Sequence, residues 1–197
     1  MYKRQNLLVE DSTASNNLVG FNFNLNTNAN GLVNTIVLDN ITATDNAFEG
    51  LITDTFGGTF TDLVVRNSAF TNTLMEVTGG INSNGISITA NGNAAAGNPQ
   101  IDNRTRVLLE GLTVDMFTLA GIDIVGNGDA NILAIIEGNT ITNNGIGFLP
   151  PLGAELPFFD GLQLTSNGAS RIDTRINNNI ITGNFEQAVD LLSLIHI

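Results

Sequence analysis

Arg171, Asp173 and Arg175 alternate along the segment RIDTR, so in an extended strand all three side chains leave one face. Two guanidinium groups flanking a carboxylate can hold an anionic sugar through charge-assisted hydrogen bonds. The same three residues can also form an ion-pair row on a solvated strand. A second set is acidic. Asp123, Gln163 and Asp190 hold equivalent places in GIDI (121–124), GLQL (161–164) and AVDL (188–191). Oxygen groups stacked from one strand to the next could share Ca²⁺, a hard cation that prefers oxygen ligands. Asp129, in the nearby turn GNGDAN (126–131), would add a carboxylate. A third set is aromatic. Phe148, Phe158 and Phe159 lie in the apolar, proline-bearing stretch IGFLPPLGAELPFF (146–159). They could rim a groove for a sugar or a protein, or cover apolar side chains elsewhere on the surface.

Other chemistries are excluded by composition. The 197 residues contain no Cys and no Trp, one His and one Tyr, which removes disulfides, thiolate metal sites and a Cys nucleophile. The net charge of −12 argues against nucleic-acid or anionic-membrane partners, which require a Lys/Arg surface. No apolar run is long enough to span a membrane. A hydrophobic fraction of 42% is too high for a disordered acidic chain.

The two ends carry their own signature. Leu192–Ile197 (LSLIHI) is the translation of CTG TCT CTT ATA CAC ATC, which resembles a transposase end sequence. Its reverse complement contains GTG TAT AAG AGA CAG, which reads as residues 1–5. Residues 1–5 and 192–197 are therefore expected to be adapter-derived, leaving 6–191 as the natural fragment. On that expectation Tyr2, Lys3 and His196 drop out, and the cations left are Arg66, Arg104, Arg106, Arg171 and Arg175.

The elements that would position these groups come from a repeat. LDNITATDN (38–46), VRNSAFTNT (65–73), LEGLTVDMF (109–117), IEGNTITNN (136–144) and INNNIITGN (176–184) align, with a weaker copy at VEDSTASNN (9–17). The starts are spaced by 29, 27, 44, 27 and 40 residues, a period of about 27 with two longer intervals. Equivalent positions agree chemically: Val9, Leu38, Val65, Leu109, Ile136 and Ile176 begin the copies. Ala14, Ala43, Phe70, Val114, Ile141 and Ile181 follow five places on. Eight places on come Asn17, Asn46, Thr73, Phe117, Asn144 and Asn184. Short Val/Ile/Leu/Thr runs bounded by Gly, Asn and Asp read as strands, about three per period, and no helical stripe is sustained. Each period is then one coil of a solenoid, stacked in parallel register on the next. The recurring Asn would bond from coil to coil. Insertions are expected near 79–103 (containing ISITA, 86–90) and 146–159. Val37, Val64, Leu108 and Ile135 should point outward. Thr-x-Thr tripeptides (42–44, 53–55, 59–61, 71–73, 140–142) would suit a water-ordering surface if they shared a face.

NTITNNG (139–145), NNIITGN (178–184) and the strands at 121–124 and 160–164 resemble the right-handed parallel β-helix, or pectin-lyase-like, superfamily. The resemblance is closest to the repeat-rich β-helices of large secreted or surface bacterial proteins and covers nearly all of residues 9–191. It implies an all-β solenoid of about six coils with three short strands each. It also implies an extracellular or cell-surface location and a structural, adhesive or glycan-binding role, with polysaccharide or other surface proteins as partners. The superfamily also contains polysaccharide lyases and related carbohydrate enzymes. No catalytic motif of theirs is matched here, so that activity is the alternative expectation.

Overall fold

A computed structural model describes residues 3–26, 32–57, 59–73, 83–92, 104–145 and 160–194. Three parallel sheets of six strands form a right-handed parallel β-helix, and no helix occurs among the described residues. Sheet 1 holds β1 (Lys3–Glu10), β4 (Leu32–Asp39), β7 (Thr59–Arg66), β10 (Arg104–Glu110), β13 (Asn131–Glu137) and β16 (Arg171–Asn177). Sheet 2 holds the three-residue strands β2 (Thr13–Ser15), β5 (Thr42–Thr44), β8 (Ala69–Thr71), β11 (Thr113–Asp115), β14 (Thr140–Thr142) and β17 (Ile180–Thr182). Sheet 3 holds β3 (Phe21–Asn26), β6 (Leu51–Phe56), β9 (Ile86–Asn91), β12 (Ile122–Asn127), β15 (Leu162–Asn167) and β18 (Val189–Leu194).

The register follows the repeat residue for residue. Val9, Leu38, Val65, Leu109, Ile136 and Ile176 are successive partners in sheet 1. Ala14, Ala43, Phe70, Val114, Ile141 and Ile181 are partners in sheet 2. Alternate residues of each strand point inward, and the like side chains stack into one continuous core that includes Leu38, Val65, Leu109 and Ile136. ISITA forms β9 and pairs with β6 and β12. The extra length of that long interval therefore falls in the two connections on either side of β9. Most of those connections, and 146–159 with Phe148, Phe158 and Phe159, lie outside the described residues. Lys3–Gln5 and Leu192–Leu194 continue β1 and β18.

The corners explain why the chain turns where it does. Between sheets 1 and 2 every coil has one residue with positive φ: Asp11, Asn40, Asn67, Gly111, Gly138 and Asn178. Only Gly, and at small cost Asn or Asp, takes this conformation readily. The next residue sends its side chain inside. Asn139 Oδ1 accepts the Leu112 amide at 2.9 Å, and Asn179 Oδ1 accepts the Asn139 amide at 2.9 Å. Between sheets 2 and 3, Asn144 Oδ1 accepts the Phe117 amide and Asn184 Oδ1 accepts the Asn144 amide. At the third corner Asn127 donates to Asn91 and Asn167 to Asn127, each at 2.9 Å. Three side-chain ladders thus satisfy groups that the strand ladders leave unpaired. In the third coil Asn72, rather than Thr73, is the buried residue at its corner, and its Nδ2 donates to the Asn46 carbonyl. The Thr73 amide is taken instead by Asp45 Oδ1.

Candidate functional site

The two charged sets read from the sequence leave different sides of the solenoid. Arg171, Asp173 and Arg175 lie on the outer face of sheet 1, at its last strand. Arg171 Nε donates to Asp173 at 3.0 Å, and both side chains are exposed. With the Asn177 amide turned to accept, Arg175 donates to it. Asp123, Gln163 and Asp190 lie in one column on the outer face of sheet 3, as their spacing implies. Asp123 and Asp190 are two coils apart, about 10 Å by strand spacing, and Asp129 sits in the corner beyond β12. Among the described residues, no group of three His, Cys, Asp or Glu is placed to hold a metal ion. The Thr-x-Thr segments do not share a face. Thr42, Thr44, Thr140 and Thr142 are on sheet 2, while Thr53, Thr55 and Thr61 are buried in the interior.

Sheet 3 is the acidic side. Burial pushes Asp123 up to about 6, and its Oδ1 is buried with no hydrogen-bond partner. Burial also raises Asp54, against a hydrogen bond from Thr89, and raises Glu49. Asp160, fully buried beside Gly161, is raised by burial although its Oδ1 accepts the Gln187 amide. Burial thus opposes ionisation at all four carboxyls.

Sheet 1 carries both signs, with Glu10, Asp39, Asp62, Glu110, Glu137 and Asp173 on its outer face. All six arginines of the chain, Arg4, Arg66, Arg104, Arg106, Arg171 and Arg175, project from its outer face. Parallel register arranges that face in stripes along the solenoid axis. One column reads Arg4, Val33, Phe60, Arg104, Asn131, Arg171. The column six residues on along each strand reads Glu10, Asp39, Arg66, Glu110, Glu137, Asn177. Between them Leu8, Val37, Val64, Leu108 and Ile135 form an apolar row. Leu8 and Leu133 are more than two-fifths exposed. Val37, Val64, Leu108 and Ile135 do point outward, and they are half-buried.

This face holds a groove of about 510 Å³ lined by Arg4, Val33, Phe60, Asp62, Arg104 and Arg106. Phe60 is 41% exposed, and the Arg104 guanidinium lies 5.6 Å from its ring centroid, within cation–π range. Arg106 is fixed by a two-pronged bond to Asp62, Nε to Oδ1 at 2.5 Å and Nη2 to Oδ2 at 2.7 Å. That contact raises the Arg106 pKa, so the guanidinium stays charged. A ring face, an apolar wall and fixed planar cations can bind a flat polar ligand carrying negative charge. Sequence reasoning missed this groove because Phe60, Asp62, Arg104 and Arg106 come from strands more than forty residues apart. The signal was available: Arg104 and Arg106 alternate as Arg171 and Arg175 do, and the repeat alignment places Phe60 and Asp62 beside them.

The arrangement defines a class: a three-sided, right-handed parallel β-helix with a basic-to-acidic striped face and a buried-carboxyl face. Comparison with protein families, curated proteins and solved structures finds no match to the chain.

Proposed function

We propose that this chain is a structural and adhesive β-helix of the pectin-lyase-like kind. On this reading it belongs to a large secreted or cell-surface bacterial protein, and the outer face of sheet 1 is its contact surface. The observation that carries the reading is the segregation of every arginine to that face in a chain of net charge −12. Three of the six, Arg66, Arg106 and Arg171, are ion-paired on that face with Asp39, Asp62 and Asp173, and four of the six share one column or the next. A rigid stack with fixed columns presents a repeating surface at about 4.8 Å per coil, which suits a long polymer or another protein better than a small molecule. An acidic polysaccharide is the first ligand class to test, because Arg104 and Arg106 offer planar cations beside the Phe60 ring. Calorimetric titration with a soluble polyuronate should give salt-sensitive binding that Arg104→Ala with Arg106→Ala abolishes. Equal binding by the double variant would remove the groove from the contact surface.

A polysaccharide lyase or related enzyme is the second reading, favoured by one observation. Asp123, on the other side of the solenoid, has a pKa of about 6, suited to proton transfer near neutrality. Depolymerisation of an acidic polysaccharide that is lost in Asp123→Asn, with the fold intact by circular dichroism, would establish it.

A further inference from the structure

We propose that the outer face of sheet 1 pairs with the same face of a second copy of this chain, about a two-fold axis parallel to the solenoid axis. The inference rests on the reading of this face as the contact surface and names its partner. Such an axis brings two faces together coil for coil and reverses the strand direction across the interface. Each residue at the start of a sheet 1 strand then meets the residue six places on in the equivalent strand of the second copy. Arg104 meets Glu110, Asn131 meets Glu137, and Phe60 meets Arg66. Each of these contacts occurs twice, once from each copy. They are an ion pair, an amide–carboxylate hydrogen bond and a cation–π contact. Nearer the axis Leu133 meets Ile135 and Asp173 meets Arg175, an apolar contact and a second ion pair. With all six coils overlapping, the perpendicular two-fold reverses the coil order and sets Arg4 on Arg171 and Asp39 on Glu137, like charge on like, whereas the parallel axis makes no like-charge contact, so the stripes favour the parallel axis.

The size fits. Six strands at about 4.8 Å and seven residues at about 3.3 Å give roughly 650 Å² per copy, about 1,300 Å² in all, within the range of specific interfaces. Sheet faces pack about 10 Å apart, a gap that Leu, Arg and Glu side chains fill. Exposed Leu8, Phe60 and Leu133 and the apolar row lose water on pairing.

Sedimentation velocity over a wide concentration range tests this, using the wild-type chain, Glu110→Arg and the charge swap Arg104→Glu/Glu110→Arg. Both positions are solvent-exposed, and circular dichroism checks that each variant folds. The expected result is a wild-type dimer whose Kd rises at least about tenfold in Glu110→Arg, since two like-charge contacts replace two ion pairs. The charge swap should return Kd to within about threefold of wild type, and added salt should weaken wild type and the swap while narrowing their gap to Glu110→Arg, whose like-charge contacts it screens. A wild-type chain that stays monomeric overturns the proposal, as does a dimer indifferent to Glu110→Arg or a swap no better than the single change. A monomer that still binds polyuronate through Arg104 and Arg106 overturns the dimer and leaves the adhesive reading standing. End-to-end oligomers through the strand edges of β1–β3 and β16–β18, unmoved by the charge variants, would overturn it as well.

Discussion

Asn144 Nδ2 lies 2.9 Å from Asn184 Oδ1, the contact that Asn139 Nδ2 makes with Asn179 Oδ1 five residues earlier. In each case the oxygen that accepts from the neighbouring side chain also accepts that neighbour's backbone amide. One amide side chain thus serves two coils and turns the chain at a fixed place. The corners, as much as the apolar core, hold the columns in register, and the columns are what give sheet 1 its stripes.

Asn144 is fully buried and is the amide partner of Phe117. Asn144→Ala strands that amide and removes the donor to the Val114 carbonyl, at an expected cost of about 2–4 kcal/mol. Asn184→Ala, in the more exposed last coil, should cost about 1 kcal/mol. Chemical denaturation of both variants checks the ordering; equal small losses would show that the ladder is incidental.

Two glycines make opposite predictions. Gly121 does not have positive φ, but a Cβ there would sit 2.6 Å from Ile141 Cγ2 and 2.8 Å from the Gly161 carbonyl. Gly121→Ala should cost at least about 2 kcal/mol through forced backbone movement. Gly138 has φ of +67° and open space around it. Gly138→Ala should cost about 1 kcal/mol. Gly138→Asn should be within about 0.5 kcal/mol of wild type, because Asn40, Asn67 and Asn178 hold the equivalent place in other coils. Thermal melts of the three variants separate contact from conformation.

Asp123 gives a pH signature of definite sign. Its folded pKa of about 6 lies above the ordinary 3.8, so the folded chain keeps a proton that the unfolded chain has lost. Its contribution to stability is fully present below about pH 4, falls as pH rises to about 6, and is level above that. Asp39 and Asp45 act in reverse. Asn67 and Arg66 lower the first and Thr73 the second, so their contributions are lost as acid protonates them. Asp123→Asn should therefore be more stable than wild type at neutral pH, by up to about 3 kcal/mol. The gap should close on acidification between pH 6 and 4. A gap independent of pH would mean that Asp123 titrates normally.

Much of this was legible in the sequence, and the reason is periodicity. A parallel solenoid converts sequence spacing directly into spatial stacking, so aligning VRNSAFTNT with LEGLTVDMF placed Val65 on Leu109 and Phe70 on Val114. Inward and outward residues followed from alternation, which put Asp123, Gln163 and Asp190 on one outer column. Side-chain environment did not follow. Asp123 faces outward by alternation, yet its carboxyl is buried deeply enough to move its pKa to about 6. The longer intervals hid β9, whose ISITA reads equally well as part of a loop. The groove escaped notice because its residues come from different coils, and because Arg104 and Arg106 fall just before the aligned core of their repeat. The ladder at Asn139 and Asn179 was hidden because its column is mixed, holding Ser68, Ile41 and Leu112 in other coils.

The outer face of sheet 1 is the surface proposed to meet whatever this protein binds. The chain has no cysteine, so single cysteines can be placed on the three outer faces in turn: Val64→Cys on sheet 1, Thr113→Cys on sheet 2 and Ser87→Cys on sheet 3. Maleimide labelling rates would then be compared for dilute protein, concentrated protein and protein saturated with polyuronate. Val64→Cys alone should be protected, by self-association or by polyuronate, while the other two label at unchanged rates. Protection of Ser87→Cys or Thr113→Cys with Val64→Cys still fully reactive would contradict that proposal.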